Sequence, residues 1–135
     1  MKKLATLLFS VGLFFLFVGC ADDDAKLTNK WQLRHCVYSD GTLQEVGNVF
    51  YNFQKGSFSA ICLHTDGEYY TFFGLYTLAE GILSISIKEP QEFEGEVFDT
   101  YLGWENGQRS FVVEKLTSSQ LVLGYNSNLL VFREY

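Results

Sequence analysis

The feature that most constrains this chain is a succession of short β-forming runs separated by turn residues, from about Leu27 to the C-terminus. Within this region, no window shows the i, i+3, i+4, i+7 apolar spacing of an amphipathic helix without interruption by glycine or β-branched residues. We therefore predict little helix. The predicted strands are Trp31–Val37, Val49–Phe53, Phe58–His64, Tyr69–Leu78, Ile82–Lys88, Val97–Trp104, Ser110–Leu116, Leu121–Tyr125 and Leu129–Phe132.

The residues between these runs favour tight hairpins. Lys55-Gly56, Glu80-Gly81 and Asn126-Ser127-Asn128 all supply residues that tolerate a positive φ. Consecutive hairpins make antiparallel neighbours, and no connection is long enough for a parallel crossover unit. Eight or nine such strands in about 110 residues predict an all-β fold, a small up-and-down antiparallel barrel in which closure removes the exposed sheet edges.

Alternation along each run predicts which side chains point into the barrel. In the first strand we expect Trp31, Leu33, His35 and Val37 to point inward and Cys36 to point outward. In the fifth run, Leu83, Ile85 and Ile87 are expected to face the core. The run before it is apolar in both phases, and we predict that the phase containing Gly74 and Tyr76 points inward.

The N-terminus has the features of an export signal. Lys2 and Lys3 precede an uncharged run from Leu4 to Val18, which as a helix would span roughly 22 Å and fall short of the ~30 Å hydrocarbon core. This length is typical of a signal-peptide apolar region, and a transmembrane anchor is the less favoured alternative. We therefore predict a signal peptide over residues 1–19, a tether over residues 20–26 and one folded domain over residues 27–135.

The residues around Cys20 resemble a lipoprotein signal. The sequence Phe17-Val18-Gly19-Cys20 is similar to a bacterial lipobox, which implies that Cys20 carries lipid and anchors the protein to a membrane. The following Asp22-Asp23-Asp24 resembles the acidic stretch of surface-exposed lipoproteins of the Bacteroidetes type, which implies a location on the outer membrane facing the cell exterior. The alternatives are a plain solvated tether and an anchor that faces the periplasm.

The folded region also resembles a known family. Leu27-Thr28-Asn29-Lys30-Trp31-Gln32-Leu33 is similar to the opening of lipocalin-like domains, and the segments 74–85 and 116–133 are similar to the middle and end of the small lipocalin-like lipoproteins of Bacteroidetes. The resemblance implies a small β-barrel that binds a ligand of unspecified identity. It also implies a barrel plug in which Arg133, just after the last strand, stacks over Trp31 on the first.

The sequence offers little catalytic or metal-binding chemistry. His35 and His64 have no metal-ligand spacing with another His or Cys, and no Gly-x-Ser-x-Gly motif is present. The acid-rich segment from Glu89 to Glu96 lacks the Asp/Asn alternation of calcium loops, so we interpret it as a solvated loop. We predict no enzyme activity, no metal and no cofactor. A net charge of −6 argues against a nucleic-acid partner.

Two cysteines remain once Cys20 is assigned to lipid. An exported domain permits a disulfide between Cys36 and Cys62. The two residues lie on strands that are not neighbours in a meander, and Cys36 is in the predicted outward phase. We therefore predict that both are thiols.

The high aromatic content, 17% of the chain, is the positive signal for binding. It fits an apolar internal cavity that takes a small apolar or amphipathic ligand, with hydroxyls for orientation. It also fits a solid-cored barrel whose outer face or loops bind a protein or polysaccharide, as an adhesin, inhibitor or accessory subunit would. An internal cavity above ~300 Å³ would favour the first. The candidate ligand-binding residues are His35, Tyr51, Tyr70, Tyr76 and Trp104.

Overall fold

In the part of the chain that the structure describes, nine β-strands make up almost all of the regular structure. The computed structural model describes residues 23–63, 67–88, 104 and 107–135. The predicted signal peptide, Cys20, His64, the acid-rich segment from Glu89 and most of the predicted strand Val97–Trp104 lie outside these residues. The strands are β1 (Lys30–Val37), β2 (Leu43–Glu45), β3 (Val49–Gln54), β4 (Ser57–Leu63), β5 (Tyr69–Ala79), β6 (Ile82–Ile87), β7 (Gln108–Leu116), β8 (Gln120–Tyr125) and β9 (Asn128–Glu134).

The strands form a closed antiparallel barrel. Neighbours follow the order β2-β1-β3-β4-β5-β6-β7-β8-β9, and β1 also pairs with β9, so that β1 and β3 to β9 close an eight-stranded ring. The predicted all-β barrel is confirmed. The short β2 pairs with the last three residues of β1, on the edge away from β9 and beyond the part that pairs with β3, and all three of its residues are exposed.

Tight turns join the strands as the turn residues predict. Lys55 and Gly56 both have positive φ between β3 and β4, as do Glu80 and Gly81 between β5 and β6. Asn126 and Ser127 adopt the same conformation between β8 and β9. Two consecutive residues of positive φ give the turn whose twist matches the twist of the flanking strands.

Alternating side chains fill most of the barrel. In β6, Leu83, Ile85 and Ile87 are buried, and in β5 the inward phase contains buried Tyr76, so both predictions are confirmed. The centre is aromatic: the ring centroids of Phe53 and Phe58 lie 5.2 Å apart. Core residues with less than 2% of their surface exposed include Trp31, Phe53, Trp104, Phe111, Leu121, Leu123 and Phe132.

A bulge in β1 overturns part of the predicted inward phase. Leu33 pairs with Phe132 on β9 and His35 pairs with Val131, so Arg34 is an extra residue between them. An extra residue reverses the alternation beyond it. Cys36 therefore points inward and packs against the core, whereas the inward positions predicted for His35 and Val37 are wrong.

One end of the barrel is sealed by the segment that precedes β1. Residues 23–27 form a helical turn, and Leu27 at its end is fully buried in the core of the barrel. The indole N–H of Trp31 donates to the Leu27 carbonyl at 3.0 Å, and the Tyr76 hydroxyl donates to the Asp24 carboxylate at 3.1 Å. The described part of the predicted tether thus forms the floor of the barrel.

The predicted stack of Arg133 over Trp31 is wrong. Phe132 is fully buried, so the next residue on β9 points outward, where Arg133 is exposed and lies opposite Gln32. A different cation, at the start of β1, contacts the last residue. The Lys30 ammonium lies 4.9 Å from the ring centroid of Tyr135, at the end of the chain.

Candidate functional site

A cavity opens at the end of the barrel opposite the sealed floor. Its volume is about 310 Å³, and it lies among the ends of β1, β3, β8 and β9. The bulge in β1 contributes to it, because the bulge turns Cys36 toward the interior. The described residues that line it are Leu33, Cys36, Tyr38, Val49, Tyr51, Trp104, Arg109, Tyr125, Asn128 and Leu130.

Two aromatic residues form the inner wall of this cavity, at its boundary with the filled part of the barrel. The ring centroids of Tyr51 and Trp104 lie 6.0 Å apart and nearly perpendicular, and Trp104 stacks on Phe58 at 5.9 Å. The Trp104 side chain hydrogen-bonds to Tyr51, whose pKa is raised mainly by burial. Tyr51 therefore stays neutral at physiological pH and contributes a hydroxyl to the inner wall.

Arg109 brings a positive charge to the cavity. It lies on β7 two residues before buried Phe111, so alternation turns it inward. The guanidinium carbon lies 3.9 Å from the ring centroid of Tyr125 and 6.0 Å from that of Trp104. The guanidinium therefore lies over the Tyr125 ring, in cation–π contact with it. Among the described lining residues, Arg109 has the one permanently charged side chain.

Both cysteines are thiols, which confirms the prediction. The reason given for it was partly wrong, because Cys36 points inward. The other reason for that prediction is correct: Cys36 lies on β1 and Cys62 on β4, and β3 separates these two strands. Burial raises the pKa of Cys62 to about 11 and also raises that of Cys36. Neither thiol is activated as a nucleophile at neutral pH.

The structure brings together two of the five candidate ligand-binding residues. Tyr51 and Trp104 line the cavity. The Tyr76 hydroxyl hydrogen-bonds to Asp24 at the sealed end, and Tyr70 packs against the core. His35 comes directly after the bulge, which turns its side chain to the outer face. These last three are not part of the site.

Sequence reasoning missed Arg109 and Tyr125. The predicted strand began at Ser110, because arginine is not a strong β-former, and alternation was therefore not extended one residue back to Arg109. Continuing the phase of Phe111 would have placed Arg109 inside. Tyr125 ends β8 next to the Asn126-Ser127 turn, and that position places it at the open end of the barrel.

The described part of the chain shows no group of His, Cys, Asp and Glu side chains arranged to hold a metal ion. Within the same residues, no helix has the length and apolar character needed to cross a membrane. The chemistry of the site is therefore that of an apolar cup with one guanidinium and a few hydroxyl, thiol and amide groups at its wall.

Comparisons with known proteins agree with this architecture. The family model of the lipocalin-like domain matches residues 15–135. A crystal structure of a lipocalin-like protein from Bacteroides uniformis is 48% identical, with a TM-score of 0.75, covering 82% of this chain and 99% of that one. A crystal structure of an uncharacterized protein from Bacteroides eggerthii is 37% identical, with a TM-score of 0.70, covering 81% and 99%. No curated protein matches the chain. Its match to the family model over most of its length, together with the closed barrel, shows that the chain belongs to the lipocalin-like domain family.

Proposed function

We propose that this lipocalin-like protein binds a small amphipathic molecule, non-catalytically, in the cavity at the open end of its barrel. The observation that carries the proposal is a cup of about 310 Å³ with a mostly apolar wall and one guanidinium. The volume lies at the lower limit of small-molecule sites, which are about 300–1,000 Å³. This volume favours a barrel with an internal cavity at one end over a barrel that side chains fill throughout.

The cavity sets the size of the ligand. Since one water or methylene takes about 30 Å³ of liquid volume, the cup holds on the order of ten heavy atoms. Leu33, Val49 and Leu130 would contact an apolar body, and the Tyr51 hydroxyl offers an internal hydrogen bond. The guanidinium of Arg109 would meet a polar group, best an anionic one, through charge-assisted hydrogen bonds.

We expect decanoate to bind about tenfold or more tightly than decanol, because a hydrogen bond to a charged group contributes about 1.5–3 kcal/mol. The ratio should fall to near unity in Arg109→Gln. The measurement is isothermal titration calorimetry of decanoate and decanol as the two probes, with the full chain in zwitterionic lipid nanodiscs. Each probe is compared between wild type and variant in identical discs, so its partitioning into lipid cancels.

Leu130→Trp is the steric control for the same experiment. A larger side chain at this lining position should fill the cup and abolish binding of both probes, with the fold checked by circular dichroism. Equal affinity of the two probes would reject the role of Arg109 and keep the cavity. Binding that survives in Leu130→Trp would reject the cavity as the site.

We propose further that Cys20 carries lipid and that the protein is anchored to the outer membrane with its domain facing the exterior. The expected result is fatty-acid labelling of the wild-type chain that disappears in Cys20→Ala, because the thiol is the acceptor. Cleavage of the domain by external protease on intact cells, lost when Asp22, Asp23 and Asp24 are replaced by Ala, would support outward exposure. Persistent labelling of Cys20→Ala would reject the anchor.

A further inference from the structure

A polar recess lies at the sealed end of the barrel, opposite the cup. It has a volume of about 540 Å³ and lies between the start of β1 and the turn that follows β3. The Phe53 amide donates to the Asn29 carbonyl at 3.0 Å and joins these two segments. The recess shares no lining residue with the cup, so it is a separate site. Its described lining residues are Thr28, Asn29, Lys30, Asn52, Phe53, Gln54 and Lys55.

The lining of this recess is rich in hydrogen-bond donors. Lys30 and Lys55 contribute two ammonium groups in a chain whose net charge is −6. Within the described residues, no carboxylate pairs with either ammonium. The side-chain amides of Asn52 and Gln54 also make no hydrogen bond to another described residue. Two positive charges beside available N–H donors fit a ligand that is anionic and accepts several hydrogen bonds.

Two aromatic rings order the side chain of Lys30. Its ammonium lies 5.4 Å from the ring centroid of Phe50 and 4.9 Å from that of Tyr135. These two rings also contact each other edge to face, with their centroids 4.9 Å apart. A cation that cation–π contacts already restrict loses less conformational freedom when an anion binds beside it.

Lys55 occupies a backbone position that lysine does not favour. It is the first residue of the two-residue turn between β3 and β4, and its φ is +37°. Glycine, asparagine or aspartate is the usual choice at such a position, because most other side chains crowd the backbone there. The turn therefore gives no reason for a lysine, whereas binding an anion in the recess does.

We propose that this recess binds a phosphate group. A phosphate monoester carries about −1.5 to −2 charge near neutral pH and has three strong acceptor oxygens. The two ammonium groups would balance that charge, and the amides of Asn52 and Gln54 would donate to the remaining acceptor positions. Free phosphate compounds and phospholipid headgroups both offer this group. Only the headgroup source rests on the proposed lipid at Cys20, because that anchor would bring the sealed end to the bilayer.

The test is a titration of the full chain in maltoside micelles with sodium phosphate at constant ionic strength. The side-chain amide signals of Asn52 and Gln54 are followed by NMR, and we expect them to shift saturably. The dissociation constant should rise about fivefold or more in Lys55→Asn, because a charge-assisted contact is lost. Asparagine suits the turn, so this variant should be at least as stable as the wild type.

The matched control is Lys115→Asn, which removes the same charge from β7 outside the recess. It should bind phosphate as the wild type does. Three results would each overturn the proposal: no saturable shift in the wild type, an equal response to acetate at the same ionic strength, or equal weakening in Lys55→Asn and Lys115→Asn.

A transfer to phosphatidylcholine nanodiscs separates the two sources of phosphate. If a headgroup occupies the recess, the same amide signals should move in the nanodiscs, and added phosphate should no longer shift them. If these signals respond to added phosphate alone, the ligand is a free phosphate compound. Either result supports the site, and Lys55→Asn should weaken the response in both.

Discussion

Gly74→Ala is expected to lower the free energy of unfolding by about 3 kcal/mol or more, the largest loss we predict for so small a change. A Cβ on Gly74 would lie 2.1 Å from the Ser86 carbonyl oxygen and 2.8 Å from the Ile87 Cα. Both are backbone atoms of β6, so no side-chain rotation relieves the overlap. Strands β5 and β6 would have to separate where Phe72 and Tyr76 enter the core.

Gly47→Ala is the matched control, because a Cβ there has its nearest neighbour at 4.0 Å, the amide nitrogen of Gln32. It should change the free energy of unfolding by less than about 0.5 kcal/mol. Urea unfolding followed by tryptophan fluorescence measures both variants. Equal midpoints for the two would show that β5 and β6 do not approach as closely as the structure has them.

Trp31→Ala should destabilise the protein by about 3–5 kcal/mol, because it removes a fully buried indole and leaves a cavity at the sealed end. The Leu27 carbonyl would also lose its hydrogen bond from the indole N–H. The helical turn at residues 23–27 is expected to loosen with it, which protease sensitivity near Lys26 would report.

A graded series separates packing from hydrogen bonding at the sealed end. Trp31→Phe keeps most of the ring but not the donor, so it should cost about 1–3 kcal/mol less than Trp31→Ala. Tyr135→Ala, at an aromatic residue that is 66% exposed, should cost under about 1 kcal/mol. Similar losses for all three variants would show that Trp31 is not the plug of the barrel.

The elements that local pattern alone determines were predicted from the sequence. Strict alternation in β6 and the turn residues at Gly56 and Gly81 place strands, phase and hairpins without reference to distant parts of the chain. Repeated hairpins then lead to a barrel, because an aromatic-rich sheet of this length is stabilised by closing on itself.

Features decided by long-range pairing could not be predicted in this way. The bulge at Arg34 exists because β1 pairs with β9 across the closure of the barrel, and nothing in the residues around Arg34 indicates it. The exposed strand β2 lacks any apolar periodicity. The residues of the candidate site were therefore predicted least well. The bulge decides whether His35 or Cys36 faces the cavity, and Arg109 lies one residue before its predicted strand.

If Cys20 carries lipid as proposed, the sealed floor would also set the orientation of the barrel relative to the membrane. Asp23 lies beside Leu78, Gly81 and Leu116, at the sealed end of the barrel, and two residues separate it from Cys20. Those few residues span about 10 Å at most, so a lipid on Cys20 would hold the floor against the bilayer. The cup would then open away from the membrane, at a distance of about one strand length. A molecule would arrive from the aqueous medium, and the bilayer beneath would have no direct path to the site.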